Sequence, residues 1–209
     1  MKNCQSSDLD TEKTIEELVK YETGKTLTFG SYYQNDENTK TPIEWIVLSR
    51  EENKALLISK YLLDTEPYNT TQAKVTWENC TLRKWLNNDF FNIAFNKTEK
   101  KKIVETTIVG EYADELNNIK DNVFLLNNKE TLIYFEDNKA RECQPTHYTV
   151  SKGIFVADDG YSWWWLRSFE RNQIDAPTVF NTGGVYDHGD YVSAKGIGVR
   201  PALWIDINS

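Results

Sequence analysis

The sequence predicts an α+β domain in which two helices pack around a small twisted antiparallel sheet and the C-terminal half is rich in loops. Three observations lead to this prediction. Apolar runs at 43–48 and 55–59 flank a polar stretch, which is typical of a hairpin. The segment 79–91 repeats apolar residues at helical spacing. Seven of the ten glycines follow residue 152 and separate short apolar pieces from one another.

The first 25 residues differ from the rest of the chain. We expect residues 1–25 to form an N-terminal appendage and residues 26–209 to form a single domain. A short helix over 11–22 would place Ile15, Leu18 and Val19 on a shared face. The Thr-Gly-Lys sequence at 23–25 would then end this helix, because glycine commonly follows the last helical turn.

The first part of the domain is predicted to be mainly strands. These strands are expected at 27–33, 43–48 and 55–59. The last two are nearly continuous apolar runs, and such runs are typical of strands that are buried on both faces.

Two helices are predicted from apolar spacing and from capping residues. The first spans about 79–91 and has Asn79 as its N-cap. Its apolar face consists of Leu82, Trp85, Leu86 and Phe90. The second spans about 127–135, because Asn127 is followed three residues later by Glu130, the pattern of a capping box. A buried strand is predicted just before it, at 123–126.

The glycine-rich half carries three more predicted strands, at 162–168, 178–181 and 199–205. Alternation along the first of these would place Trp163 and Trp165 on one face and Trp164 on the other. Arg167 and Arg200 lie within otherwise apolar strands. Because a buried guanidinium needs carboxylate or carbonyl partners, both are expected to be structural clamps.

Charge excludes some classes of partner. The chain has 24 Lys and Arg against 32 Asp and Glu, a net charge of −8. A nucleic-acid binder needs a basic surface to displace counterions, so nucleic acid is not an expected partner. No stretch approaches the roughly 20 apolar residues of a membrane span.

The compartment remains open. Residues 1–10 are polar and carry no secretory signal, which favours the cytoplasm for the chain as written. However, Cys4-Gln-Ser-Ser resembles the mature start of a bacterial lipoprotein. A cell-surface lipoprotein is therefore the alternative if the N-terminus is trimmed.

The three cysteines, Cys4, Cys80 and Cys143, are odd in number and widely spaced. They form no CxxC pair, which argues against a disulfide scaffold and against a zinc site. Cys80 falls inside the first predicted helix, where a small buried thiol is expected.

A series of ordered motifs resembles a widespread bacterial domain family of unknown function. The motifs lie at 42–48, 55–59, 76–87, 121–126, 164–168 (WWLRS) and 198–203 (GVRPAL). The resemblance covers about residues 26–207. That family is similar to the C-type-lectin-like fold of formylglycine-generating enzymes, so the resemblance implies this fold, with the N- and C-terminal strands side by side.

The resemblance also implies a non-enzymatic ligand-binding module. Some members of the family are variable proteins of diversity-generating retroelements, in which a reverse transcriptase rewrites the stretch between the WWLRS and GVRPAL segments. Adenine-directed mutagenesis tends to yield Asn, Tyr, Asp, His and Ser there. The candidate binding residues in this stretch are Arg171, Asn172, Asp175, Asn181, Tyr186, Asp187, His188, Asp190 and Tyr191.

The same residues favour binding on chemical grounds, although a solvated loop without a partner would have a similar composition. Tyrosine brings a large rigid contact area, and Asn, Asp and Ser make adaptable hydrogen bonds, as in antibody binding loops. We expect loops over 171–175, 181 and 186–191 to present these side chains on one face. The expected ligand is a protein or a carbohydrate.

The alternative function is a metal-dependent enzyme of the formylglycine-generating-enzyme-like fold. The catalytic members of that fold use a pair of C-terminal cysteines or a histidine cluster, whereas this chain has only Cys143 beyond position 80 and two histidines, His147 and His188. A Cys143–His147 nucleophile pair is conceivable, but it lacks an evident third group. No cofactor is expected, with calcium as the one open possibility. Its candidate ligands are Asp158, Asp159, Asp175, Asp187 and Asp190.

Overall fold

A computed structural model describes residues 19–108, 119–168 and 173–208. Its strands are β1 (Thr26–Tyr33), β2 (Lys40–Glu51), β3 (Lys54–Ser59), β4 (Ile103–Val104), β5 (Thr106–Ile108), β6 (Ile119–Asp121), β7 (Trp164–Trp165), β8 (Asp175–Val179), β9 (Val185–Tyr191) and β10 (Ala202–Asp206). Its helices are α1 (Thr81–Trp85), α2 (Phe91–Ala94), α3 (Lys97–Lys102), α4 (Asn128–Tyr134), α5 (Asn138–Arg141) and α6 (His147–Ser151), with a π-helical turn (Leu86–Phe90) between α1 and α2. Most of the predicted helix at 11–22 lies outside the described residues.

The strands form antiparallel sheets, so the mixed α/β class with mainly antiparallel pairing is confirmed. One sheet has five strands in the order β1-β2-β3-β10-β4. A second has three strands in the order β7-β8-β9, and β5 pairs with β6 alone. The five-stranded sheet carries more of the buried apolar residues than the other two sheets do, and the three-stranded sheet carries most of the predicted binding residues.

Burial differs between the two strands of the predicted hairpin. In β3 all five residues of Ala55–Ser59 are buried, so this strand is covered on both faces as predicted. In β2, buried Ile43, Trp45 and Val47 alternate with partly exposed neighbours. The prediction of two-sided burial is therefore wrong for β2, which lies one strand from the sheet edge and keeps one face partly open.

The N- and C-terminal strands do not lie side by side, so that prediction is wrong. Strands β2 and β3 separate β1 from β10 in the five-stranded sheet. The local reason is that β2 and β3 close a tight hairpin, which leaves the other edge of β3 free. Because β3 is apolar on both faces, β10 pairs along that edge, with Leu203 opposite Leu57.

The first predicted helix is real but longer and differently capped. It runs without a break from Thr81 to Ala94 through the π-helical turn. Cys80, not Asn79, is its N-cap and accepts a hydrogen bond from Arg83 N. The Asn79 side chain instead accepts from Thr76 N at 2.9 Å and closes the preceding turn. The Cys80 thiol is buried, as predicted.

The predicted strand at 123–126 is a buried extended segment with one bridge only, between Phe124 and Ala202. A side chain from the π-helical turn replaces the missing strand partner. The Asn87 amide accepts from Val123 N at 3.2 Å and donates to Val123 O at 2.9 Å. Side-chain hydrogen bonds thus satisfy backbone groups that a sheet would otherwise pair.

The second predicted helix is confirmed at α4. Asn127 is its N-cap, and the reciprocal hydrogen bonds with Glu130 form the predicted capping box. The short helices α3, α5 and α6 complete the helices of the described ranges. None of the described helices is long and apolar enough to cross a membrane.

In the C-terminal half, the three predicted strands are shifted or shortened. Strand β7 covers only Trp164–Trp165, β8 begins at Asp175 and β10 begins at Ala202. Pro201 cannot donate to a ladder, which explains why the last strand starts after it. Before that point, single bridges join Gly198 to Trp164 and Val199 to Asp64.

Candidate functional site

The predicted loop at 186–191 is not a loop. These residues lie on β9, a strand that pairs with β8 in the three-stranded sheet. The structure splits the predicted site between the two ends of this pair, with Tyr186 opposite Thr178 at one end and Tyr191 opposite Asp175 at the other. Arg171 and Asn172 lie outside the described residues. The sequence did not reveal β9 because its polar residues do not alternate with apolar ones.

Strand β9 carries a bulge at its centre. The register shifts between Ala176 and Thr178, so Pro177 alone lies opposite three residues of β9. Gly189 sits in this bulge with φ +62°, and a Cβ atom there would lie 1.9 Å from the Ala176 carbonyl oxygen. Only glycine fits this close approach of the two backbones.

A continuous line of aromatic rings crosses the surface beside β9. It consists of Phe155, Trp163, Phe180, Tyr186 and His188, and we call it the aromatic row. Successive ring centroids lie 5.8, 4.8, 4.9 and 5.9 Å apart. Phe155 is 54 % exposed and Tyr186 is 38 % exposed. The row joins two predicted site residues, Tyr186 and His188, to three residues that sequence reasoning missed.

Trp163 belongs to the row because it precedes β7. Its prediction as a partner of Trp165 on one strand face is wrong, since only Trp164 and Trp165 are in the strand. Trp165 is fully buried and donates from Nε1 to Glu66 O at 3.0 Å. Trp163 is partly exposed and packs on Phe180. One feature of the sequence could have corrected this prediction. Gly160 indicates a turn shortly before the three tryptophans, and the strand begins only after that turn.

Hydrogen bonds from polar side chains hold Trp163 in place. Trp163 Nε1 donates to Asn181 Oδ1 at 3.2 Å, and Asn181 Nδ2 donates to Asp159 Oδ2 at 3.0 Å. The other Asp159 oxygen accepts from Tyr161 N at 3.0 Å. Asn181 is thus a predicted site residue that lies beside the row, and Asp159 is a carboxylate fixed in orientation at the surface.

The remaining predicted residues are dispersed. Asp187 accepts a hydrogen bond from Asn128 Nδ2 at 2.7 Å and so links β9 to α4. Asp190 accepts from Tyr191 N at 2.8 Å at the far end of β9. Tyr191 is 61 % exposed there, next to Asp175 on the paired strand.

The candidate calcium ligands are dispersed in the structure as well. The candidate ligands Asp158 and Asp159 lie in the turn before Trp163, whereas Asp175 and Asp190 lie at the far end of the β8–β9 pair. Within the described ranges, no group of three or more His, Cys, Asp or Glu side chains is placed to hold a metal ion. A cluster of these five carboxylates is therefore not formed.

The two predicted arginine clamps have the partners that burial requires. Arg167 pairs with the Glu130 carboxylate through both terminal nitrogens and donates to Leu125 O at 3.0 Å. Arg200 is buried and donates to Ser59 O and Arg141 O, each at 3.1 Å. Burial lowers the pKa of the Arg200 guanidinium, whose Cζ atom lies 5.0 Å from the Trp164 ring centroid. Arg167 thus ties the segment after β7 to α4, and Arg200 ties the segment before β10 to β3 and α5.

A family model described as a domain of unknown function (DUF6273) matches residues 52–207. The chain belongs to the DUF6273 family. The matched region runs from the β2–β3 turn to the end of β10, so it contains the aromatic row and both arginine clamps. No curated protein and no solved structure matches the chain.

A charged cluster that sequence reasoning missed lies within the DUF6273 region and joins it to β1. Asp64 is 1 % exposed and accepts hydrogen bonds from Tyr32 Oη at 2.7 Å and from Lys152 Nζ. Lys152 also bonds Glu66 at 2.9 Å. Burial lowers the pKa of Lys152, but the two carboxylates outweigh it and raise the pKa above its ordinary value. Burial and the Asp64 charge raise the pKa of Tyr32, so neither group is activated for proton transfer near neutral pH.

The conceivable Cys143–His147 pair has contrasting environments in this DUF6273 chain. Cys143 is buried, its thiol lies 3.4 Å from Lys60 O, and burial raises its pKa. His147 is exposed at the first residue of α6. A nucleophilic cysteine needs a lowered pKa and access to solvent, and Cys143 has the opposite environment.

Proposed function

We propose that this DUF6273 chain is a non-enzymatic ligand-binding module that holds a protein or carbohydrate ligand on its aromatic row. The observation that carries the proposal is the row itself, five rings in successive contact at the surface, with more than half of Phe155 exposed. Exposed aromatic clusters with polar neighbours are typical of binding surfaces.

The support of the row favours the same proposal. Trp163 is held by Asn181, and Phe180 is held between Trp163 and Tyr186. Side chains that already have fixed neighbours lose little conformational entropy when a ligand binds. The net charge of −8 supports partners other than nucleic acid.

We also propose, from the motif series, that the fold is C-type-lectin-like and that the chain is a variable protein of a diversity-generating retroelement. The side-by-side terminal strands expected for that fold are absent, which weighs against its simplest form. Tyr186, Asp187 and His188 are exposed side chains on β9, as a diversified surface would require. The encoding locus tests the second proposal: a reverse transcriptase and a near-copy repeat of the 160–205 region should lie beside the gene.

The alternative is a metal-dependent enzyme of the formylglycine-generating-enzyme-like fold. Metal analysis of the purified protein separates the two functions. Stoichiometric copper or iron would overturn the binding-module proposal, whereas calcium alone would be compatible with it.

Binding itself is tested on broad arrays of proteins and glycans, with the wild-type chain beside a Tyr186→Ala/His188→Ala variant. We expect a hit that the double variant weakens by about tenfold or more, because exposed aromatics in a site act as anchors. Ile133→Ala is the control, since Ile133 is 75 % exposed on α4 and outside the row. A flat response by the wild-type chain on both arrays would contradict the proposed function.

A further inference from the structure

We infer that the end of the aromatic row formed by Phe155 and Trp163, together with Asp159, recognises an arginine side chain of a protein partner. This inference rests on the proposed function and names the ligand class for the same surface. It starts from a chain of hydrogen bonds that links an aromatic ring of the row, Trp163, to an oriented carboxylate, Asp159, through Asn181.

The Asp159 carboxylate is fixed but not saturated. Its two oxygens each accept one hydrogen bond within the chain, from Tyr161 N and from Asn181 Nδ2. A carboxylate has about four acceptor positions, so two remain for a ligand. Asp159 is exposed, and two acceptor positions on one carboxylate match the paired N–H groups of a guanidinium.

The adjoining rings suit the flat, weakly hydrated guanidinium plane. Trp163 is partly exposed and Phe155 is more than half exposed, with their centroids 5.8 Å apart. Arginine packs its plane on aromatic rings and keeps its edge for carboxylates, and tryptophan is the best aromatic partner for a cation. Lysine, a compact and strongly hydrated charge, matches this combination less well.

Charge around the row favours a cationic partner. The segments 153–163 and 180–194 contain Asp158, Asp159, Asp187 and Asp190 but no Lys or Arg. Of the cations beside them, Lys152 pairs with Asp64 and Glu66, Arg141 is buried against Gly183 O, and Lys195 is exposed next to Gly196. The nearby Lys139 lies 5.0 Å from the Tyr161 ring centroid, and Glu142 already pairs with it. The whole chain is also acidic, which steers a basic partner toward it.

Ring geometry favours a protein segment over a glycan. Sugars stack on open, flat ring faces, yet successive ring planes in the row are inclined by 62°, 48°, 25° and 78°. The two most nearly parallel rings, Phe180 and Tyr186, are stacked on each other. Their facing surfaces are therefore closed to a ligand.

The test is isothermal titration of the full chain with a glycine-spaced arginine peptide, its lysine counterpart and a chitin oligosaccharide. We expect the arginine peptide to bind several-fold more tightly than the lysine peptide, although their charges are equal. Asp159→Asn should weaken the arginine peptide about tenfold, because it removes the charged acceptor. Phe155→Ala should weaken it several-fold without any change of charge.

Glu52→Gln is the matched control, because it removes one exposed carboxylate at the β2–β3 turn, away from the row. Thermal melts of all variants establish that each is folded. Equal binding of the two peptides, equal losses in Asp159→Asn and Glu52→Gln, or no binding of the arginine peptide would overturn the inference. If the oligosaccharide binds instead and Phe155→Ala abolishes this, the inference fails while the proposed function stands. If the wild-type chain gives no hit on either the protein array or the glycan array, both the inference and the proposed function are contradicted.

Discussion

At the scale of single residues, the chain depends on side chains and backbone positions that accept few substitutes. Gly189 is the sharpest example, because the bulge of β9 brings its Cα against the Ala176 carbonyl group. Trp163 and Trp165 make a different point. Two residues apart, they lie in different environments, one partly exposed in the aromatic row and one buried in the core. The two tryptophans differ in burial because β7 begins between them, at Trp164, and not because of their residue type.

Gly189→Ala should lower the free energy of unfolding by about 3 kcal/mol or more. The backbone angle φ +62° is strained for alanine, and its Cβ would collide with a backbone oxygen. Chemical denaturation of the purified variant measures this. The control is Gly184→Ala, where the nearest atom to a new Cβ lies 4.0 Å away. Equal stability of the two variants would contradict the described bulge.

The two described cysteines should be nearly inert in the folded chain. Burial raises the pKa of Cys80 to about 12, and it also raises the pKa of Cys143. At pH 8 the Cys80 thiolate population should therefore be smaller than that of a free cysteine by about 1,000-fold or more. Thiol labelling of a Cys4→Ser variant, with and without denaturant, measures this. Fast labelling of the native chain at pH 8 would contradict the described burial.

At the scale of elements, capping and clamping connect helix α4 to the glycine-rich half. Glu130 closes the capping box at the start of α4 and pairs with Arg167 just after β7. One carboxylate thus stabilises a helix end and a buried cation. On the outer side of α4, Leu132 and Ile133 are exposed, while Thr131 is buried. The apolar residues of this helix therefore do not all face the core.

Glu130→Gln should lower the free energy of unfolding by about 2–3 kcal/mol, because Arg167 would remain buried without its counter-charge. The expected loss is smaller than the roughly 3–5 kcal/mol typical of fully buried pairs, since the Glu130 side chain is 28 % exposed. Glu51→Gln, in an exposed pair with Lys54, should change stability by about 0.5 kcal/mol or less. Similar losses in the two variants would show that the Arg167 pair is not a clamp.

At the scale of the whole molecule, two buried charged groups, Arg200 and Asp64, join parts of the chain that are far apart in sequence. Arg200 bonds carbonyl groups of β3 and α5 and packs on Trp164 of β7. Asp64 joins β1 to α6 through Tyr32 and Lys152. Because the Arg200 link crosses between the two main sheets and the Asp64 link joins the five-stranded sheet to α6, we expect the described domain to unfold as one cooperative unit.

Arg200→Ala should lower the free energy of unfolding by about 3 kcal/mol or more, because it leaves a cavity between the sheets. Arg200→Met is the matched control and should cost less, since it keeps most of the buried volume and removes a desolvated charge. Denaturation followed by both tryptophan fluorescence and circular dichroism measures the loss and its cooperativity. Two separate transitions in the wild-type chain would contradict the single unit.

The position of the binding surface is tested at this scale as well. The sequence placed Tyr186 and Tyr191 on one surface, whereas the structure sets them at opposite ends of the β8–β9 pair. With any ligand found on the arrays, Tyr186→Ala should weaken binding about tenfold, and Tyr191→Ala should have a much smaller effect. Both variants should melt close to the wild-type temperature. A larger loss of affinity in Tyr191→Ala than in Tyr186→Ala would show that the site lies at the far end of β9.

The sequence by itself determined what depends on near neighbours along the chain. It placed the capping box at Asn127 and Glu130, the doubly buried strand β3, and the need of Arg167 and Arg200 for buried partners. Each follows from spacing, apolarity or the cost of an unpaired charge. These quantities change little with the rest of the fold.

Only the tertiary structure decided what depends on pairing between distant segments. It made a polar segment into strand β9, set β10 beside β3, and left Trp163 just outside β7. It also brought the segment that carries Phe155 and Trp163 into line with the segment that carries Phe180 and Tyr186. Strand pairing of this kind is stabilised by long-range contacts, which outweigh local propensity, so no local pattern announces the aromatic row.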